Sequence, residues 1–213
     1  MAYRPQQLIH DMLNVCAHAG YHIPFFAAPE SHNTPRAAAP PGGLAYARMV
    51  WALGCFLPAL PFCHAGFEVG ETLPVNTGLD FLPEELPRYP SANLPLFSEA
   101  AYDWESKTNL VAWIRQTLTL RAQYADLVTD PDPATFDLIE TDNPMVWTIV
   151  RRRDALAIGI VFNIDWHSAQ SFSLKLPTNR SEIVDLLGGE SHTLSDGSLR
   201  AEVPPSHCIV VGL

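Results

Sequence analysis

The sequence is short of charge, and of positive charge above all. Charged residues make up 17% of its 213 positions, with 13 Lys and Arg against 23 Asp and Glu, a formal net charge of −10. Such a surface repels a phosphate backbone, so nucleic acid is not an expected partner, whereas neutral ligands are not disfavoured. Long apolar runs are missing too. The longest, near Leu44–Leu60, is broken by Arg48, Gly54 and Pro58 and is too short for a membrane span, so no membrane partner is expected. Cysteine is scarce. Cys16, Cys55, Cys63 and Cys208 show no CxxC pair and no regular spacing, and are read as reduced thiols, which favours a cytoplasmic protein. Residues 1–10 lack the basic-then-apolar arrangement of a secretory leader. His18 and His22 are four apart, but Gly20 interrupts them and further ligands are wanting, so no metal is expected, nor any other cofactor. Internal repeats and low-complexity tracts are absent.

What the sequence does have is apolar mass, 47% of residues, enough for a packed core. Leu8, Met12, Val15, Cys16 and Ala19 recur at helical spacing before Gly20. Ile23–Ala28 reads as a short buried strand, followed by a polar loop, Glu30 to Arg36. Leu44–Leu57 is apolar nearly all round, as expected of a deeply packed helix. A second strand is expected over Leu60–His64, with Gly66, Glu68 and Gly70 in the turn beyond. Helix, strand, loop, helix, strand, loop is the order of parallel βα units.

Residues 71–105 form a long connection carrying Pro74, Pro83, Pro87, Pro90 and Pro95; ordered loops of that length tend to be functional. A helix follows, with Leu110, Ile114 and Leu118 on one stripe, and ends near Leu127. From Met145 the period changes. Trp147 and Ile149, Leu156–Phe162, Phe172 to Leu176 and Cys208–Val211 are β-type runs, separated by turn chemistry at Arg153-Asp154, Asp165–Ser168, Gly188-Gly189 and Asp196-Gly197. Several strands at short spacing suggest a sandwich or small barrel. The boundary between the two patterns is expected near 128–136.

Four stretches together resemble the α-amylase family of glycoside hydrolases. Ser31-His32-Asn33-Thr34-Pro35-Arg36 is similar to the Asn-His-Asp stretch that ends the family's seventh barrel strand. Leu60 to Gly70 resembles the eighth strand with its Gly-x-Glu-x-Gly turn. Tyr102-Asp103-Trp104, ahead of a helix ending Thr117 to Arg121, looks like the last barrel helix. Ala157–Asn163, Asp185 to Glu190 and Pro204-Pro205 resemble the C-terminal β-domain. The resemblance covers most of residues 23–213. It implies an α/β plus all-β chain: residues 1–130 the C-terminal strands and helices of a (β/α)8 TIM barrel, and residues 134–213 a small antiparallel β-sandwich.

The resemblance also implies what is missing. Retaining glycosidases use two carboxyl groups, one attacking the sugar carbon and one protonating the leaving oxygen. In the family these stand on the fourth and fifth strands, ahead of anything matched here. A missing N-terminal barrel portion is therefore expected in the parent protein, a retaining α-glycosidase or glucanotransferase acting on α-glucans or α-glucosides, and the chain alone is expected to be inactive. Asn33 stands where the family has its third carboxylate. An amide still hydrogen-bonds a sugar hydroxyl, but losing one oriented charge costs on the order of 3–4 kcal/mol of transition-state stabilisation. His32 is implied as a contact to a sugar hydroxyl. Arg36, as a planar guanidinium fork, is a candidate to orient neighbouring carboxylates. Glu30 is a candidate to replace the third carboxylate, although strand alternation puts it on the face opposite Asn33. Trp104 and Trp166 are candidates for stacking on sugar rings, and Trp147 reads as core. The alternative is a catalytically inactive member of the fold that binds sugar or a protein partner.

Overall fold

The computed structural model describes Asp11 and residues 25–96, 98–99, 101–137 and 139–213. The expected helix through Leu8 and Ala19, Cys16, the His18–His22 pair and the start of the first strand at Ile23 lie outside the described residues.

Strand β1 (Phe25–Ala27) and strand β2 (Ala59–Pro61) pair in parallel, Phe25 opposite Ala59 and Phe26 opposite Leu60. Between them runs helix α1 (Gly43–Phe56), within one residue of the expected span at each end. Its contact with β1 is close because Gly54 faces Ala27: a Cβ on Gly54 would sit 2.9 Å from the Ala27 Cβ. β2 lies earlier than the Leu60–His64 run suggests. After Phe62, whose N–H still reaches the Ala27 carbonyl at 3.1 Å, the chain turns, with Phe67 N–H bonded to His64 O.

Among the described residues of 71–105, regular structure is limited to short 3₁₀ turns, Leu86–Arg88 and Ser91–Asn93. Helix α2 (Val111–Gln123) and the single turn α3 (Ala125–Val128) follow. The buried stripe of α2 differs from the Leu110–Ile114–Leu118 reading. Leu110 is buried, but Leu118 is 39% exposed, and Thr117 and Leu120 are buried instead. The rotation is explained by polar ties: Trp51 Nε1 donates to Thr117 Oγ1 at 2.8 Å, and the Gln116 amide donates to the Leu187 carbonyl.

Beyond a short strand β3 (Phe136–Asp137), strands β4 (Val146–Arg153) and β5 (Leu156–Asn163) form a hairpin. Its tight turn holds Asp154 at φ 53°. Strands β6 (Gln170–Lys175), β7 (Glu182–Val184), β8 (Ser191–Ser195), β9 (Ser198–Val203) and β10 (Cys208–Gly212) complete two four-stranded antiparallel sheets, ordered β10-β5-β4-β3 and β6-β9-β8-β7. Period-2 alternation assigns each sheet residue to one of two cores. Ile158, Ile160, Phe162, Cys208 and Val210 join the core built on α1 and α2. Val161, Ile209 and Val211 join a second core with Phe172, Leu174, Leu199 and Val203 of the other sheet. Both faces of β5 and β10 are thus covered, which is why their sequences read as continuous apolar runs rather than alternating ones.

The helical and β segments are joined by polar ties as well as by a shared core. Arg151, fully buried on β4, donates to the carbonyls of Leu127 at 2.6 Å, Asp130 at 2.7 Å, Val128 at 3.2 Å and Phe56 at 3.3 Å. Its guanidinium lies 3.8 Å from the Phe136 ring centroid. Arg121 similarly donates to Leu57 O and Ala59 O, fixing the entry into β2. Among the described residues the chain is mostly β-sheet with few helices, and no helix is long and apolar enough to cross a membrane.

Candidate functional site

Parallel pairing of β1 and β2 puts the loops after both strands at the same end of the pair. The first loop is residues 28–42, the second residues 62–70. At their meeting point Arg36, only 3% exposed, is the hub. Its Nη1 donates to Glu30 Oε1 at 2.6 Å, His64 Nδ1 at 2.9 Å and Ala65 O at 2.9 Å. Its Nε reaches Leu73 O at 3.1 Å and its Nη2 the Tyr102 hydroxyl at 3.2 Å. One planar guanidinium, with donors in a fixed fork, therefore ties together the first loop, the second loop, the long connection and the segment before α2.

Glu30 is 1% exposed and spends its second oxygen on the Ala37 N–H, at 2.7 Å. Burial pushes its carboxyl above the usual range, against the opposing pull of the Ala37 N–H and Arg36. His64 is held below its ordinary value, first by burial and then by the Arg36 and His32 charges. The geometry agrees: Nδ1 must keep its lone pair to accept from Arg36, so the ring is neutral with its proton on Nε2. Beside it, Cys63 is pushed up to about 12 by burial and by Glu68, whose Oε2 it faces at 3.7 Å, so the thiol is unreactive at neutral pH.

The Gly66–Gly70 turn explains Glu68. Both glycines are left-handed, φ 94° and 71°, flanking a single 3₁₀ turn, and Glu68 Oε2 accepts from the Gly66 N–H at 3.0 Å. Glu68 is thus a turn-closing residue.

His32 and Asn33 occupy the crest of the first loop. His32 is exposed and Asn33 half-buried. The Asn33 backbone is held from both sides, its N–H on Ser31 Oγ at 3.1 Å and its carbonyl on the Asp80 N–H at 3.1 Å. Gly78 presses on it so closely that a Cβ there would lie 2.2 Å from the Asn33 Cα. The long connection is therefore a clamp over the crest, and its glycine is required for that approach.

Of the residues singled out from sequence, Glu30 and Arg36 come together as a buried ion pair, while His32 and Asn33 stand apart from that pair on the accessible side of the loop. His64 and Tyr102, partners of Arg36, escaped sequence reasoning as site residues. The available signal was that both parallel strands deliver their following loops to one place. Trp104 is 60% exposed and packs edge-on to Tyr102; Trp147 is buried in the core. Among the described residues no cluster of three or more His, Cys, Asp or Glu is arranged to hold a metal ion.

No protein-family model matches the sequence, and no curated protein matches it. Solved structures match its fold. An α-amylase from Lactobacillus plantarum superposes with a TM-score of 0.66 at 13% identity, over 94% of this chain and 42% of that one. The α-amylase of Geobacillus thermoleovorans, complexed with acarbose, gives 0.64 at 13% identity, over 93% and 42%. A debranching enzyme from Nostoc punctiforme, soaked with acarbose, gives 0.55 at 19% identity, over 88% and 33%. The chain thus spans well under half the length of these structures, consistent with the C-terminal part of the α-amylase fold. At such identities the likeness is one of fold.

Proposed function

We propose that this chain is the C-terminal part of a retaining glycosidase or glucanotransferase acting on α-glucans or α-glucosides. Residues 1–130 are the last portion of a (β/α)8 barrel and residues 134–213 a β-sandwich domain. The observation that carries the reading is the placement of the His32–Asn33 crest at the C-terminal end of a parallel strand, where such barrels build their sites, in a chain whose fold matches α-amylases over nearly its whole length. The open state of the β1–β2 pair supports it. Phe26 and Leu60, opposite each other in register, are 68% and 51% exposed, and Phe62, 44% exposed, packs edge-on to Phe26. Parallel sheets are normally covered on both faces, so these side chains call for further strands or helices against them. Free Cys55, Cys63 and Cys208 fit a reducing, cytoplasmic setting.

In this reading His32 contacts a sugar hydroxyl, and Asn33 occupies the place of the third carboxylate. Glu30 and Arg36 hold the crest in position rather than meeting the substrate, because each other's charge and the Ala37 N–H already engage them. The nucleophile and acid/base come from barrel strands this chain does not contain, so the isolated chain does not turn over starch or maltodextrins.

A second reading is favoured by one observation. With Asn33 neutral and Glu30 tied to Arg36, neither residue offers a free carboxylate to a developing positive charge, as in a fold member that binds sugar or a protein without cleaving it. Immunoprecipitation from the source cells with an antibody to residues 134–213 separates the readings. The catalytic reading expects further barrel sequence in the precipitate together with α-glucan turnover. Further barrel sequence without turnover supports the binding protein, and this chain recovered alone overturns the catalytic reading.

A further inference from the structure

A second concave site lies against the 29–42 loop, where Arg36 itself forms part of the lining. It is a cleft of about 340 Å³, within the range of small-molecule sites, between that loop, the start of α1, the Leu86–Arg88 turn and the β5–β6 turn. Three aromatic side chains, Tyr46, Tyr89 and Trp166, share its wall with Thr34, Glu85 and Arg88. Trp166 is 41% exposed although nothing in the turn chemistry of residues 165–168 needs an aromatic. Its ring stands edge-on to Tyr46, centroids 5.8 Å apart at 89°, and its Nε1–H is already spent on His167 Nε2 at 2.6 Å. The indole is therefore oriented by its neighbours while part of its surface stays open.

The polar groups of the cleft are underused. Neither the Arg88 guanidinium nor the hydroxyl of Tyr46 or Tyr89 has a hydrogen-bond partner among the described residues. Glu85 accepts from the Leu82 N–H at 2.8 Å, which leaves most of the carboxylate's acceptor sites free. Unpaired donors, a free acceptor and open aromatic surface converge within one pocket.

We infer that this cleft binds a neutral hexopyranose unit of an oligosaccharide. A pyranose has an apolar C–H face and a rim of hydroxyls that each donate and accept. The aromatic wall suits the face, and adjacent hydroxyls suit Glu85 as acceptor and Arg88 as a forked donor. An anionic ligand is disfavoured by Glu85 and by the net charge of −10, and a purely apolar one would strand the Glu85 and Arg88 charges on desolvation. The inference does not rest on the proposed catalytic role: the cleft lies wholly within this chain.

The test is isothermal titration of the purified chain with maltoheptaose and, separately, with cellohexaose at concentrations up to about 10 mM, a range that captures sites of a few kcal/mol. Binding of either sugar is expected, weakened about tenfold or more in Trp166→Ala, as loss of an aromatic contact together with its buried area implies. Arg88→Ala should weaken it further, and Lys107→Ala, at an exposed position outside the cleft, should leave it unchanged. Both Trp166 and Arg88 are surface residues, and a native near-ultraviolet circular dichroism signal verifies each variant's fold. Binding of cellohexaose alone would keep the site and assign it a β-linked glucan. No binding of either sugar, or binding indifferent to both Trp166→Ala and Arg88→Ala, overturns the inference.

Discussion

Arg36 Nη1 lies 2.6 Å from Glu30 Oε1, and neither residue is more than 3% exposed. The pair is separated by six residues, so its closure folds the loop after β1 back on itself and lifts His32 and Asn33 to the crest. Taking both charges out of water is compensated only because every neighbour contributes: the Ala37 N–H to the carboxylate, and three backbone or side-chain acceptors besides Glu30 and His64 to the guanidinium.

A mutant cycle on this pair has a definite expected shape. Glu30→Gln or Arg36→Met alone leaves one buried charge without its counterion and should destabilise by about 3–5 kcal/mol. Glu30→Gln combined with Arg36→Met should cost less than the sum of the two singles, because no unpaired charge is left behind. Urea unfolding midpoints check it; additive single effects would show that the charges do not depend on each other.

Arg151 makes a comparable demand between the two halves of the chain. Arg151→Met keeps much of the bulk but strips the donors from the carbonyls of Leu127, Val128, Asp130 and Phe56. Each stranded buried carbonyl costs about 1–3 kcal/mol, so the variant should lose at least about 3 kcal/mol. Proteolysis within residues 128–136 should accelerate at the same time. A variant as stable and as resistant as the parent would show that the core alone joins the halves.

How far these features were legible in sequence follows from their range. α1 and the strands from Val146 onward were readable because their signal is local: apolar period, glycine and turn chemistry. Arg151 was not, since it opens a run of three arginines that reads as an exposed strand end, and its partners lie 16 to 95 residues away. The Leu118 stripe misled for a related reason. A helix propensity pattern does not contain the hydroxyl of Thr117, which turns inward because Trp51 needs an acceptor. At the site, the resemblance placed His32, Asn33 and Arg36 in one loop, but the direction each faces depends on His64, Tyr102 and Gly78, all brought by tertiary contacts.

Two histidines set a pH dependence with a fixed sign. His64 and His207 are both held below their ordinary value of 6.5, chiefly by burial, and His207 also packs against Trp113 at 6.0 Å. Each binds a proton less readily folded than unfolded. Their contribution is complete above about 6.5 and is lost as pH falls through that value toward the depressed one, because the unfolded chain takes up protons first. Glu30, with its raised value, acts in the opposite direction at lower pH. The clean measurement is therefore a difference: His207→Gln should flatten the fall in urea midpoint between about pH 7 and 5 relative to the parent. An unchanged slope would mean that His207 does not titrate with folding.

The last prediction concerns Asn33→Asp in a polypeptide that carries the whole barrel. The substitution restores a negative charge where an oxocarbenium-like transition state develops positive charge. The amide already offers most ground-state hydrogen bonds to a sugar, so the gain should fall on kcat rather than KM, by roughly tenfold or more. Glu30 could already fill this role, but its engagement by Arg36 and Ala37 argues against that; Asp80, whose N–H bonds the Asn33 carbonyl, is the other acid beside the crest. The new carboxylate would stand on a backbone fixed by Ser31 and Asp80 and pressed by Gly78, so its placement should not depend on loop rearrangement. If some other acid does serve, two carboxylates would share the site, the pKa of one would rise, and kcat would stay flat or fall. Measuring kcat for both proteins from about pH 4 to 8, which spans the carboxylate and imidazole ranges, decides between these outcomes. A flat or reduced kcat across that range would mark Asn33 as compatible with full activity and not as a disabled catalytic position.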